Sequence, residues 1–371
     1  METRTARPAP IVDATAGSCE TLIGLVERYS PTGAEGDAVA WLVERMRRLG
    51  AAQAFVDDAG NAVGVWGGGP RQGILLGHID TVPGRIPVRL EGGLLHGRGA
   101  VDAKGPLAAF VDAAAAAGDI PGWQWVVVGA VDEEGESRGA RALLDHEAPG
   151  FVIVGEPSRW DRVTIGYKGS AWTRVTVRRS MVHSAAPGQT AAEAAVELWQ
   201  SLRAWAAAFN DGRPRPFDQV TSSLRGWESG DDGFEAWATL HLGTRLPLAM
   251  SPESWLARLR SIAPQAEVEF DGFPTPAYRG DKNSILSRAF LAAIRASGGT
   301  PNFVVKTGTA DLNLVAPRWG CPGLAYGPGD SALDHTPDEH ISLEEFARSR
   351  RIVADVLRRV GGRADGDGAA S

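Results

Sequence analysis

The sequence predicts an α/β fold: a mostly parallel sheet with helices on both faces, plus an inserted α+β domain of ferredoxin-like type. Strand-like and helix-like segments alternate up to residue 166 and again after residue 278, which is typical of a parallel sheet covered on both sides. Between them the order is strand, helix, strands, helix, strand, with apolar and polar residues alternating along the strands, as in a sheet with one exposed face. At 371 residues, the chain also exceeds the usual size of a single core.

The larger domain is assigned to residues 1–166 and 279–371. Apolar residues recur at helical spacing over residues 18–49, and Gly50 provides a stop. Pro106 in the first turn favours a helix over KGPLAAFVDAAAAAG, and a further helix is predicted over residues 136–147. The last helices are ILSRAFLAAIRASGG and SLEEFARSRRIVADVLRRVGG. The predicted strands are AQAFVDD, NAVGVWG, GILLGHID, WQWVVVGAVDEE, FVIVGEPS and the start of TPNFVVKTGTAD.

The inserted domain is assigned to residues 167–278. Its predicted strands are GSAWTRVTVRRS, AWATLHLGTRLP and AEVEFDGF, in which apolar and polar residues alternate. Its predicted helices are TAAEAAVELWQSLRAWAAAF and SPESWLARLRSIA, which are amphipathic. The larger domain is therefore expected to be built from two parts that are distant in sequence.

Composition excludes some classes of function. The formal net charge of −7 argues against a general nucleic-acid or anionic-membrane binder, since both require a basic surface. The two cysteines lie far apart in sequence, so a disulfide framework is not indicated and a reducing compartment fits. No apolar segment follows the N-terminal residues as in a signal peptide, and no apolar run is long enough to span a bilayer. We therefore expect a soluble cytoplasmic protein.

Polar residues gather where buried strands end. His78 and Asp80 follow the run Ile74–Gly77 and share one strand face, so the carboxylate can fix the imidazole tautomer. Ligands collect beyond the carboxyl ends of parallel strands, and more such residues occur at strand ends or in glycine- and proline-rich loops. The candidate metal ligands are two imidazoles and three carboxylates: His78, Asp102, Glu134, Glu156 and His335.

This ligand set indicates a metal-dependent hydrolytic site. Imidazole and carboxylate without thiolate suit zinc, cobalt or manganese, and five ligands with one bridging carboxylate can hold two ions. Glu133, next to Glu134, can face the attacking water as general base while its neighbour binds metal.

Motif order adds a resemblance to a known family. The segments GHIDTVPG, GRGAVDAKG, DEEGES, GEPS, GPGD and DHTPDEH occur in that order and resemble the M20 family of dinuclear metallohydrolases. The segments GEPSRWDRVTIGYKG and KTGTADLN most resemble the sequences of the lysine-biosynthesis branch of this family. That branch releases lysine, or ornithine, from an acylated precursor carried on a small acidic amino-group carrier protein.

The resemblance implies roles for individual residues. His78, Asp102 and Glu156 would hold one ion, and Asp102, Glu134 and His335 the other, with Asp102 bridging. Glu133 would be the catalytic base, and Asp80 would orient His78.

In the inserted domain, which the family uses as a lid and dimerisation module, His183 matches a histidine that reaches the neighbouring subunit's site. Arg245 matches an arginine that grips a substrate carboxylate. The chain departs from many relatives in lacking a lid asparagine around DDGF at residues 231–234.

Other functions remain open at this point. One alternative is a deacylase of free acetylornithine, acetyl-lysine or succinyl-diaminopimelate, and another is a non-catalytic relative that binds peptides or amino acids. KTG at residues 306–308 is also found in serine acylases of the β-lactamase type, but no lysine of this chain has a serine three positions earlier. A serine nucleophile of that type is therefore excluded.

Overall fold

The computed structural model describes residues 19–181, 183 and 188–362. No described helix combines the length and apolar character that a bilayer crossing requires. The helices in the described ranges are α1 (Glu20–Val26), α2 (Gly36–Arg48), α3 (Lys104–Ala117), α4 (Arg138–Ala142), α5 (Ala191–Asn210), α6 (Pro252–Ile262), α7 (Ile285–Ala296), α8 (Leu312–Trp319) and α9 (Leu343–Gly361).

The strands form three sheets. In chain order they are β1 (Gln53–Val56), β2 (Ala62–Gly67), β3 (Arg71–His78), β4 (Arg89–Glu91), β5 (Leu94–His96), β6 (Trp123–Ala130), β7 (Phe151–Gly155), β8 (Arg162–Tyr167), β9 (Gly169–Ser180), β10 (Thr221–Asp231), β11 (Glu235–Leu246), β12 (Glu267–Phe270), β13 (Tyr278–Arg279), β14 (Asn302–Lys306), β15 (Gly323–Ala325) and β16 (His340–Ser342).

The large sheet has nine strands in the order β1-β2-β6-β3-β7-β15-β8-β13, with β14 also pairing with β8. Its centre is parallel, since β3 runs parallel to both β6 and β7, and β7 runs parallel to β15. Residues of β3 alternate between two cores, with Leu75 in one and Ile74 and Leu76 in the other. A strand that is buried on both faces typically has a continuous apolar sequence, as β3 does before His78. The predicted α/β architecture is confirmed.

Helices cover both faces of this sheet. Side chains of α1, α2, α3, α7 and α9 share the core that contains Leu75. Side chains of α4 and α8 contribute to the core on the opposite face, where Trp319 packs. With both faces covered, the carboxyl-terminal edge of the central strands is left to carry polar side chains.

The inserted part is a four-stranded antiparallel sheet in the order β10-β11-β9-β12. Side chains of α5 and α6 pack on one face, around buried residues such as Leu202, Leu240 and Trp255. The opposite face carries exposed ion pairs, including Arg174 with Glu269. The chain order β9, α5, β10, β11, α6, β12 is the ferredoxin-like order expected from the sequence. The domain boundaries at residues 167 and 278 stay a prediction.

Several short elements differ from the sequence-based expectation. The small sheet β16-β5-β4 was not predicted, because each of its strands has only three residues and shows no measurable periodicity. Helix α8 contains Pro317, which sequence rules treat as a helix breaker. The helix predicted over residues 136–147 is shorter and continues as a 3-10 turn over Leu143–Asp145.

Replacing Phe346 by alanine should destabilise the larger domain. Phe346 lies on α9 with 0% of its surface exposed, inside the core that contains Leu75. Truncating a buried phenylalanine leaves a cavity, so we expect the free energy of unfolding to fall by about 3–5 kcal/mol. Urea unfolding followed by circular dichroism measures this loss. Phe234 is 83% exposed, and Phe234→Ala should change stability by less than about 0.5 kcal/mol. Equal losses in both variants would contradict the assignment of this core.

Candidate metal centre

A cavity of about 990 Å³ lies beside the carboxyl ends of the central strands. The larger domain lines it with Asp102, Glu133, Glu134, Glu156 and His335, and the inserted sheet contributes a second wall. The side chains from the inserted sheet and its following loop include Trp172, Arg225, Arg245, Asp271 and Phe273. Acids therefore line the side of the cavity that the larger domain forms, and the side that the inserted sheet forms contains arginines.

Two groups of side chains in this region have the spacing of metal ligands. One consists of His78, Glu133 and Glu134, and the other of Asp102, Glu134 and His335. Within each group, one nitrogen or oxygen atom of every residue lies within 4.8 Å of the others. Because Glu134 belongs to both groups, the two sets are adjacent.

Asp102 lies between the two histidines. Its Oδ1 is 3.2 Å from Nε2 of His78, and its Oδ2 is 3.1 Å from Nε2 of His335. Nε2 of His335 is also 2.9 Å from Oε1 of Glu134. A carboxylate that presents one oxygen to each of two imidazoles has the arrangement that a bridging ligand requires.

The remaining residues singled out from the sequence occupy different places. Glu156 is 8% exposed and lines the cavity, but it belongs to neither of the two groups. Arg245 also lines the cavity, and its Nη1 donates to Oγ1 of Thr309 at 2.7 Å. His183 is exposed and is not among the side chains that line the cavity of this chain.

Asp80 contacts His78 and also positions the loop that carries Glu133 and Glu134. Nδ1 of His78 is 3.0 Å from the backbone oxygen of Asp80 and 3.4 Å from its carboxylate, so the carbonyl is the nearer acceptor. The carboxylate accepts hydrogen bonds from the backbone N–H groups of Glu133 and Glu134, each at 3.1 Å, and from the hydroxyl of Thr32 at 2.8 Å. The fully buried Asp80 side chain therefore holds the loop that carries both glutamates.

Glu339 holds the segment that carries Asp102, a role that the sequence did not suggest. Its carboxylate accepts hydrogen bonds from the backbone N–H groups of Gly99, Val101 and Asp102 at 2.8–3.1 Å. It also pairs with Arg98 at 2.9 Å. Glu339 precedes β16, which pairs with β5, so the unpredicted small sheet brings the His335 segment beside Asp102.

The two histidines are surrounded by acids, and this shifts their pKa values. Burial lowers the pKa of His78, but hydrogen bonds with Asp102 and Asp80 outweigh it and raise the pKa well above its ordinary value. Hydrogen bonds with Asp102 and Glu134 raise the pKa of His335 to about 10. The carboxylates around the two imidazoles therefore favour their positively charged forms.

Several acids have raised pKa values, chiefly because they are buried and also because other negative charges lie nearby. Burial and the charge of Asp102 raise the pKa of Glu156 to about 8. Burial and the same charge raise the pKa of Asp334 to about 8. Burial also raises the pKa of Glu133 well above its ordinary range, and the charge of Asp311 adds to the effect.

The donor set therefore fits divalent cations. Carboxylate and imidazole are the ligands that zinc, cobalt and manganese accept, and added positive charge would relieve the repulsion among these acids. Within the described ranges, Oδ1 of Asp311 and Oδ1 of Asp334 are buried without a hydrogen-bond partner, which agrees with a site that is short of positive charge.

A family comparison agrees with this geometry. The model of Peptidase family M20/M25/M40 matches residues 74–359, a range that contains every candidate ligand. The chain belongs to this family.

Curated relatives match most of this M20 chain. A protein of Deinococcus radiodurans named "[LysW]-lysine hydrolase" is 44% identical over 364 residues, which are 95% of this chain and 99% of the relative. A protein of Sulfurisphaera tokodaii named "[LysW]-lysine/[LysW]-ornithine hydrolase" is 30% identical over 277 residues, which are 74% of this chain and 77% of the relative. The resemblance read from the motifs is thus confirmed.

Solved structures show the same M20 fold. Aminopeptidase PepT from Bacillus cereus superimposes with a TM-score of 0.75 at 19% identity, covering 93% of this chain and 98% of that one. The metallo-carboxypeptidase Sso-CP2 from Sulfolobus solfataricus gives 0.74 at 16% identity, covering 94% and 100%. At these identities, the likeness concerns the fold alone.

Asp311 of this M20 site was not singled out from the sequence, where Lys306 was considered only as a lysine that could attract acidic groups or simply be solvated. Asp311 is 2% exposed beside Glu133, and Lys306 lines the cavity near Glu156. Both lie in KTGTAD, a segment that contributes to the family resemblance and contains the KTG found in serine acylases. A charged residue at the carboxyl end of a parallel strand was an available signal for Lys306.

Replacing Asp80 by asparagine should loosen the loop of Glu133 and Glu134. The amide offers one acceptor oxygen in place of two and turns an NH₂ group toward backbone donors. We expect the metal-free protein to lose about 1–3 kcal/mol of unfolding free energy, as when buried donors are left unpaired, measured by urea unfolding. Thr32→Val is the matched control, because it removes only the hydroxyl bond to the same carboxylate. A larger loss in Thr32→Val than in Asp80→Asn would contradict this account.

Proposed function

We propose that this M20 protein hydrolyses the amide that joins lysine or ornithine, through its amine, to an acyl group carried by a small carrier protein. The observation that supports the chemistry most strongly is Asp102, which presents one oxygen to His78 and the other to His335. The names of the relatives in Deinococcus radiodurans and Sulfurisphaera tokodaii support the choice of substrate.

The proposed ligands divide into two sets. Asp102, Glu134 and His335 would hold one divalent ion, and His78, Asp102 and Glu156 would hold the second. Zinc is the first choice, with cobalt or manganese as alternatives. When bound, such a pair polarises the scissile carbonyl and lowers the pKa of the attacking water.

Glu133 is the proposed general base and acid. Its carboxylate belongs to the group that contains His78 and Glu134, and it lines the cavity. A carboxyl with a raised pKa holds a proton more readily. Glu133 would therefore take a proton from the attacking water at its Oε atoms and return it to the leaving amine. Asp80 and Thr32 fix the loop that carries it.

The inserted sheet, residues 167–278, would close the cavity as a lid. Arg245 would bind a carboxylate of the substrate, since its guanidinium lines the cavity and carries more donors than its bond to Thr309 uses. We also propose that the protein is a homodimer formed through this domain, in which His183 completes the neighbouring subunit's site. A biosynthetic role of this kind would place the protein in the cytoplasm.

A substrate panel tests the function. The metal-loaded protein should release lysine or ornithine from carrier conjugates faster than it deacylates free acetylornithine, acetyl-lysine or succinyl-diaminopimelate, measured by mass spectrometry of the released amino acid. Glu133→Gln should keep the fold and the metal but lose turnover by about 10²–10⁴-fold, because the proton carrier is gone. Equal rates with free and conjugated substrates would argue against the carrier, and a near-normal Glu133→Gln rate would argue against the mechanism. No hydrolysis of any substrate would favour a binding protein.

Metal titration tests the ligand assignment. Dialysis against a chelator should abolish turnover, and zinc, cobalt or manganese should restore it. We expect two ions per chain by isothermal calorimetry and elemental analysis. His335→Ala should lose or weaken one of the two binding events, because His335 belongs to one group only.

The matched control for that titration is His241→Ala. This histidine lies on the inserted sheet against Glu228 and Asp271, outside the proposed ligand set, so both binding events should remain. One ion in the unaltered protein would refute the dinuclear assignment.

A further inference from the structure

One wall of the cavity carries a cation at each end. Residues 306–309 connect β14 to the segment before α8, and all four line the cavity. Lys306 stands at one end. At the other end, Thr309 accepts a hydrogen bond from Nη1 of Arg245 at 2.7 Å. Two positive groups therefore border a stretch that is only four residues long.

These cations lie near different acids. The charge of Glu133 favours the charged form of Arg245, whose pKa is lowered overall by burial. The charge of Lys306 acts instead on Glu156 and Asp334, where it opposes the rise in their pKa values. The contacts place them in the same way: Lys306 donates to the backbone oxygen of Pro157, the residue that follows Glu156, whereas Arg245 is held at Thr309, at the other end of this wall.

The Lys306 ammonium has capacity for a ligand. It donates to the backbone oxygen of Pro157, and its Nζ lies 6.0 Å from the ring centroid of Tyr167. A lysine ammonium has three N–H donors, and the bond to Pro157 uses one of them. The side chain is half-buried and lines the cavity, so an anion bound there would be partly shielded from water.

The proposed function, on which this inference rests, determines how the substrate is oriented in the cavity. If Glu133 returns a proton to the leaving amine, the amino-acid half lies near Glu133 and Arg245. The acyl half then extends toward Glu156 and Lys306. We propose that Lys306 binds a carboxylate on the acyl half, so that the preferred substrates carry an anionic group on both sides of the scissile amide.

A purely structural role for Lys306 makes a different prediction. By holding Pro157, Lys306 could simply fix the loop that carries Glu156. In that case its removal would impair all substrates equally, whatever the charge of their acyl group. A pair of substrates that differ only in this charge separates the two roles.

The probes are Nα-succinyl-lysine and its carboxamide, Nα-succinamoyl-lysine, assayed with the metal-loaded full-length protein. A charge-assisted hydrogen bond in the cavity should make kcat/KM for the carboxylate about tenfold to about a hundredfold higher than for the carboxamide. Lys306→Met should lose this preference, so that the ratio of kcat/KM for the carboxylate to kcat/KM for the carboxamide falls to about one, and Lys306→Arg should retain the preference. Lys282→Met is the control, since Lys282 is exposed and does not line the cavity.

Two results would overturn the inference: no preference in the unaltered protein, or an equal loss of both activities in Lys306→Met. A measurement of binding makes the test independent of turnover. In the metal-loaded Glu133→Gln protein, calorimetry should give tighter binding of the carboxylate, and adding Lys306→Met should remove the difference. If the unaltered protein cleaves neither probe nor any carrier conjugate, the proposed function fails, while the binding comparison still decides the role of Lys306.

Discussion

The structure depends on one electrostatic constraint, which is the gathering of carboxylates at the carboxyl edge of a buried parallel sheet. Asp80, Asp102, Glu133, Glu134 and Glu156 lie close enough to influence one another, and water screens them poorly there. Hydrogen bonds from backbone N–H groups stabilise Asp80, and imidazoles flank Asp102. Additional positive charge would offset the repulsion that these contacts leave, so the centre suits divalent cations.

The two sheets make different contributions to the cavity. The large sheet has helices on both faces, so the positions of the acids at its edge follow from a rigid core. The inserted sheet is covered on one face and contributes Trp172, Arg225 and Arg245 from its other side. Acids thus predominate on the side of the large sheet, which also carries Lys306, while the inserted side carries Arg225 and Arg245 together with Asp271.

Sequence reasoning was most successful where one local pattern determined the outcome. The run before His78 predicted a buried strand, and its end drew attention to His78 as a candidate ligand. The other candidates stood at strand ends and in glycine- and proline-rich loops, and motif order was needed to group them, because nothing local indicates that residues 78 and 335 meet. Glu339 could not be predicted, since its role depends on three backbone N–H groups some 240 positions away in sequence. The strands that bring it there are too short to leave a periodic pattern.

The contact between Glu339 and the Gly99–Asp102 segment joins an early part of the chain to a late one. Helix α9, which follows, packs against α3 and α7 and closes the same core. During synthesis on the ribosome, the segment that carries Asp102 emerges long before its anchor exists. A nascent or truncated chain that ends before residue 335 therefore presents its acids without the imidazole that lies beside Asp102 and Glu134 in the folded protein.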